Sequence, residues 1–80
     1  MSQDREPAII INAPVLPPAV RHQTIFAAFK ALPTGFSALL VNDHDPKPLL
    51  YQMAAENPGE FSVAYQETGS ERFVIRVTRD

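Results

Sequence analysis

The chain contains no cysteine. Without a thiol there is no disulfide, no thiolate metal or iron–sulfur ligation and no sulfur nucleophile, so every thiol-based redox or sulfur-transfer role is excluded. Concentrated positive charge is also missing. The seven basic residues, Arg5, Arg21, Lys30, Lys47, Arg72, Arg76 and Arg79, are scattered, the formal net charge is -2, and the pI is near 5.6. Nucleic-acid binding needs a basic patch that displaces counterions from phosphates, so no such partner is expected. Arg72, Arg76 and Arg79 do lie near one another in sequence, and they read as a solvated strand face. With three glycines in all, no Gly-rich loop is available to cradle a nucleotide. Long apolar runs are absent too: Ala8 to Ile11 and Ala38 to Val41 are far too short to cross a bilayer. The opening Met1-Ser-Gln-Asp-Arg-Glu6 has no secretory pattern, so no membrane association is expected and the expected location is the cytoplasm.

What remains is an ordinary globular composition, 45% hydrophobic and 20% charged over 80 residues, enough for one core. Residues 1–7 are polar, end at Pro7 and read as a flexible lead-in; residues 8–80 read as a single domain. Ala8-Ile-Ile-Ile-Asn12 is a β-branched run expected to form the first strand. From Pro17 to Leu32 the spacing of Ile25, Phe26, Phe29 and Leu32 predicts a helix, with prolines in its first turn and Pro33 and Gly35 ending it. Phe36 to Asn42 is the second expected strand. Asp45 before Pro46 has the form of an N-cap with proline at the first helical position. The second helix then runs to about Glu56, with Leu49, Leu50, Met53 and Ala54 inward and Asn57-Pro-Gly59 as its stop. Phe61, Val63 and Tyr65 alternate with polar or small residues, and Phe73 to Val77 supplies a partner strand, so these two form a hairpin. The order β-α-β-α-β-β with short right-handed connections places both helices on one face of a four-stranded sheet, an α/β two-layer sandwich.

If the first two strands are parallel, the start of helix one and the loop from Asn42 to Asp45 emerge at the same sheet edge. His22 and His44 can then face one another, with Asp43 or Asp45 completing a transition-metal set or fixing a ring tautomer. The plainer alternative stays open: Asp45 caps helix two, Asp43 satisfies loop amides, His44 is a loop residue and His22 packs on Phe26. Catalysis is not expected. Ser37, Ser62 and Ser70 have no histidine nearby, and a sandwich of this size is expected to leave little concave volume. On the sheet face away from the helices, Ile10, Leu39 and Val74 or their alternating neighbours must be uncovered, which favours a protein partner or self-association. Tyr51 and Gln52 either extend such a surface or, for Tyr51, cover the core edge.

Leu16-Pro-Pro18, Arg21-His22, Leu32-Pro-Thr-Gly35 and above all Val41-Asn-Asp-His-Asp-Pro-Lys-Pro-Leu-Leu-Tyr-Gln52 resemble the bacterial family called domain of unknown function 2249. The likeness runs from the first strand to the fourth. It implies a domain found alone or joined to hemerythrin-like di-iron domains and other redox modules, and hence a binding, accessory or sensor role near metal or respiratory chemistry. The element order is also similar to the TusA or SirA sulfur-carrier fold, which implies a mixed sheet of order 1-2-4-3. Sulfur carriers place a cysteine before a proline at the start of helix one; Val15-Leu-Pro-Pro18 stands there in this chain, so carrier activity does not transfer with the fold.

Overall fold

The computed structural model describes residues 6–80; the lead-in expected over residues 1–7 lies outside the described residues except for Glu6 and Pro7. The elements follow in the order β1 (Ile9–Asn12), α1 (Arg21–Lys30), β2 (Ser37–Asn42), α2 (Lys47–Glu56), β3 (Phe61–Thr68) and β4 (Phe73–Arg79), with two short 3-10 turns, Ala13–Val15 and Pro18–Val20, between β1 and α1. The strands form one mixed sheet of order β1-β2-β4-β3. β1 runs parallel to β2, from Ile9 opposite Ala38 to Asn12 opposite Val41. β2 is antiparallel to β4, and β4 to β3.

Strand alternation divides the sheet into a covered and an uncovered face. On the covered face, Ala38 stands opposite Val77 and Leu40 opposite Ile75, and all four are fully buried. Ile25 and Phe29 of α1 and Leu49, Leu50 and Met53 of α2 complete the same cluster, so both helices cover this face. Burying a side chain such as Phe29 or Ile25 contributes roughly 1.5–3 kcal/mol. The other face carries Ile10, Leu39, Val41 and Val74 without a helix above them, and Ile10 is 66% exposed.

The helix ends are set by backbone chemistry. After α1, Gly35 adopts φ 87°, which a side chain would strain, and its N–H donates to the Arg79 carbonyl at 2.7 Å. That turn joins the end of α1 to the end of β4. α2 stops at Asn57, whose N–H donates to the Met53 carbonyl, and Gly59 turns the chain into β3.

Three expectations are corrected. Helix one starts at Arg21 rather than Pro17, because Pro17 and Pro18 are taken up by a 3-10 turn that delays the α-helical ladder. Asp45 does not cap helix two. Pro46 occupies the cap position with no side-chain bond to the helix, and the Asp45 carboxylate instead accepts a 2.6 Å hydrogen bond from the Tyr65 hydroxyl. Ala54 is exposed, so the inward stripe of α2 is Leu49, Leu50 and Met53. Tyr51, open between two placements, is 69% exposed. The three C-terminal arginines take separate routes: Arg72 pairs with Glu67, Arg76 donates to the Ser37 hydroxyl, and Arg79 lies over the Phe61 ring and donates to the Lys30 carbonyl.

Candidate functional site

Because β1 and β2 are parallel, the chain leaves both strands at one sheet edge and turns there toward the starts of α1 and α2. The two departing segments do not close on each other. A cleft of about 210 Å³ lies between them, where the sequence led us to expect little concave volume. Ala13, Ile25, Pro46 and Leu49 give it an apolar floor, with Pro48 beside them, and its polar groups come from Arg21, His22, Asn42 and His44.

Arg21 holds the α1 side of the cleft in place. Its Nε and Nη2 donate to the Leu16 carbonyl at 3.3 and 3.0 Å, and Nη2 reaches the Pro14 carbonyl at 3.5 Å. A proline-rich connection lacks amide donors of its own, so a guanidinium that gathers its carbonyls fixes a segment the backbone cannot. One residue on, the exposed His22 ring packs against Phe26, with centroids 6.2 Å apart and planes tilted by 39°.

On the α2 side, Asn42 ends β2 on the covered face and is 8% exposed. The Asp43 N–H donates to its Oδ1 at 3.0 Å. That bond identifies the oxygen end of the amide, so Nδ2 carries two N–H groups, and no acceptor for them stands among the described residues. Asp43 in turn accepts from His44, with Oδ1 2.7 Å from Nδ1. A carboxylate can only accept, so the ring proton sits on Nδ1, leaving Nε2 as the second ring nitrogen. The hydrogen bond from His44 holds the Asp43 carboxyl below its ordinary value of 3.8. Asp45 is drawn away by Tyr65, whose hydroxyl is pushed up to about 12 by local burial and then by the Asp45 carboxylate.

Of the four residues singled out from sequence, then, His22 and His44 line one cleft, Asp43 supports His44 from outside it, and Asp45 belongs to a different contact. Among the described residues no group of three or more His, Asp or Glu side chains stands together as a metal cluster. Sequence reasoning missed Arg21 and Asn42. Asn42 was readable as the polar end of the alternation Ala38, Leu40, Asn42; Arg21 gave no signal beyond its place next to His22.

The family model described as "uncharacterized conserved protein (DUF2249)" matches residues 10–79. No curated protein and no solved structure matches. Among the described residues no helix is long and apolar enough to cross a membrane.

Proposed function

The chain belongs to the DUF2249 family, and from that premise we propose that it is a non-enzymatic binding or accessory domain whose ligand enters the cleft between the starts of α1 and α2. The observation that carries this reading is the convergence of His22 and His44, from separate elements, on one cleft with Arg21 and Asn42 beside them. Among the described residues no serine hydroxyl is bonded to a histidine that would act as its base. The Ser37 hydroxyl is engaged by Arg76 on the uncovered sheet face, and Ser62 donates to Asp80. Sulfur carriage has no place in the reading, since the chain has no cysteine. The accessory role rests on the uncovered face, where the exposed Ile10 beside the half-buried Leu39 and Val41 offers apolar contact to a protein partner or a second copy, Val74 being buried between them. A cytoplasmic setting beside metal or respiratory redox proteins fits this picture; nucleic acid and membrane partners do not enter it.

A second reading, a small metal- or redox-ligand sensor, is favoured by the Asp43–His44 contact. A carboxylate behind Nδ1 is the usual outer support of a histidine that ligates through Nε2, and His22 lines the same cleft. Neutral imidazoles suit a transition metal, with remaining positions left to a ligand.

Amide and imidazole NMR titrations with zinc, ferrous iron, copper and a panel of small organic molecules test both readings, alongside His22→Ala and His44→Ala. Saturable shifts confined to the cleft support the binding reading, and metal-induced shifts at both rings that vanish in each variant select the sensor. A cleft silent toward every probe would sink both. Concentration-dependent sedimentation tests the uncovered face, and a monomer at all concentrations removes the second copy as its occupant.

A further inference from the structure

We propose that the cleft recognises a small organic monoacid, a carboxylate head on a short apolar body. This rests on the binding reading above and gives it a ligand class.

The polar groups around the cleft are donors, except that the second ring nitrogens of the two imidazoles donate only when protonated. Arg21 offers N–H groups and no acceptor. Asn42 offers both N–H groups of Nδ2, because its oxygen is already taken by the Asp43 amide. The imidazoles of His22 and His44 add positive charge when protonated. Among the described residues no carboxylate lines the cleft: the two that neighbour it in sequence have other partners, Asp43 the His44 Nδ1 and Asp45 the Tyr65 hydroxyl.

Asn42 carries the inference beyond charge. It is 8% exposed, its orientation is fixed by the Asp43 N–H, it lines the cleft, and its Nδ2 has no protein acceptor among the described residues. Nδ2 keeps a contact with solvent, and a carboxylate oxygen in the cleft would replace water on it. A metal ion cannot, because Nδ2 has no lone pair to give.

The remaining walls decide the rest of the molecule. Ala13, Ile25 and Leu49 with Pro46 present carbon, so the body of the ligand is apolar. A volume of about 210 Å³ lies below the roughly 300–1,000 Å³ of sites for drug-sized molecules, which favours a small ligand over a nucleotide. Phosphate is also a poor match. Pro46 and Pro48 remove amide donors from the start of α2, so the donor set suits a singly charged planar head better than a tetrahedral dianion.

The test is an amide NMR titration that follows the side-chain NH2 of Asn42 and the rings of His22 and His44, using isobutyrate, the isosteric neutral isobutyramide, inorganic phosphate and zinc. Isobutyrate is expected to shift all three residues saturably, with isobutyramide and phosphate at least about tenfold weaker. Asn42→Asp keeps the acceptor for the Asp43 amide but replaces the two donors with charge, and should weaken isobutyrate by more than about tenfold. Should that variant fail to fold, the exposed His44→Gln replaces it, with an expected loss of about threefold or more. Equal binding of isobutyrate and isobutyramide, equal binding of phosphate, or undiminished isobutyrate binding in a folded variant overturns the proposal. If zinc or isobutyramide moves the cleft while isobutyrate does not, the monoacid is refuted and the binding reading stands; if no probe moves it, both fall.

Discussion

Replacing Tyr65 with phenylalanine removes one hydroxyl and leaves the ring, which isolates the bond between β3 and the loop before α2. That bond is 2.6 Å long and runs from a phenol to a carboxylate, a distance typical of charge-assisted O–H···O⁻ pairs. Hydrogen bonds to charged groups contribute about 1.5–3 kcal/mol when shielded, whereas exposed charged contacts contribute about 0–1 kcal/mol. Tyr65 is 41% exposed and Asp45 half-buried, so about 1 kcal/mol is expected, or about 4–8 °C in melting temperature for a domain of this size. The same loss should follow Asp45→Ala, and the double variant should lose no more than either single one. A double-mutant cycle by urea denaturation would then give a coupling of about 1 kcal/mol. If Asp45 acts instead as a helix cap, Asp45→Ala costs about 0.5–2 kcal/mol through the helix. Its cost would then be the same in the Tyr65→Phe background as in the parent, and a coupling near zero would refute the strut.

Three further outcomes can be checked independently. The Tyr65 hydroxyl, pushed up to about 12 by local burial and then by Asp45, contributes stability that is complete below its ordinary value of 10.0 and is lost as pH rises from there through the folded value. Ultraviolet difference absorbance should follow this titration, and Asp45→Asn should bring it down; a titration unmoved by that change would deny the contact. Asp43, held low by the hydrogen bond from His44, contributes in the opposite sense: the contribution is present above 3.8 and disappears as pH falls through the depressed value. His44→Gln should move the Asp43 carboxyl up toward 3.8, read by carboxyl-carbon NMR, and no movement would mean that the pair is not formed in solution. Phe29, fully buried, should cost about 3–5 kcal/mol when changed to alanine. At about 0.05–0.15 kcal/mol per residue, 80 residues hold about 4–12 kcal/mol, so the variant is expected to be marginally folded; a loss under about 1 kcal/mol would mean that Phe29 is not central to the core.

The elements that repeat were legible in the sequence, and the elements that depend on a distant partner were not. The spacing of Ile25, Phe29 and Leu32 fixes the buried stripe of helix one from periodicity alone, whereas the continuous apolar run Ala38 to Val41 left open which alternate set of the strands faces the helices. The turn residues at Gly35 and Asn57 to Gly59 stop both helices where local chemistry says they must. Asp45 shows the limit. Its position before Pro46 has the local form of a cap, but Tyr65, distant in sequence on β3, takes the same carboxylate in a 2.6 Å bond. Arg21 shows it again, since its value lies in the carbonyls of Leu16 and Pro14, which become acceptors only once the 3-10 turns have formed. His22 and His44 were found because topology alone brings their elements to one edge. The cleft between them was not, because its volume is what remains when two proline-rich segments fail to meet.

The strand order has a consequence for how the chain is made. β3 and β4 are joined by a short turn and pair locally, whereas β2, the strand that joins β1 to the rest of the sheet, finds its antiparallel partner only in Phe73–Arg79. On the ribosome, β1, α1 and β2 therefore emerge with half their backbone ladder unclaimed, and the Gly35 turn waits for the Arg79 carbonyl. The sheet can close only once β4 has left the exit tunnel, and stalled nascent chains with Phe73–Arg79 still inside it should stay open to protease, while those on a linker long enough to bring Arg79 out should become resistant. The cleft, which needs β1 seated on β2, is then among the last features to appear, so a ligand that fits it would act on folding as a final latch.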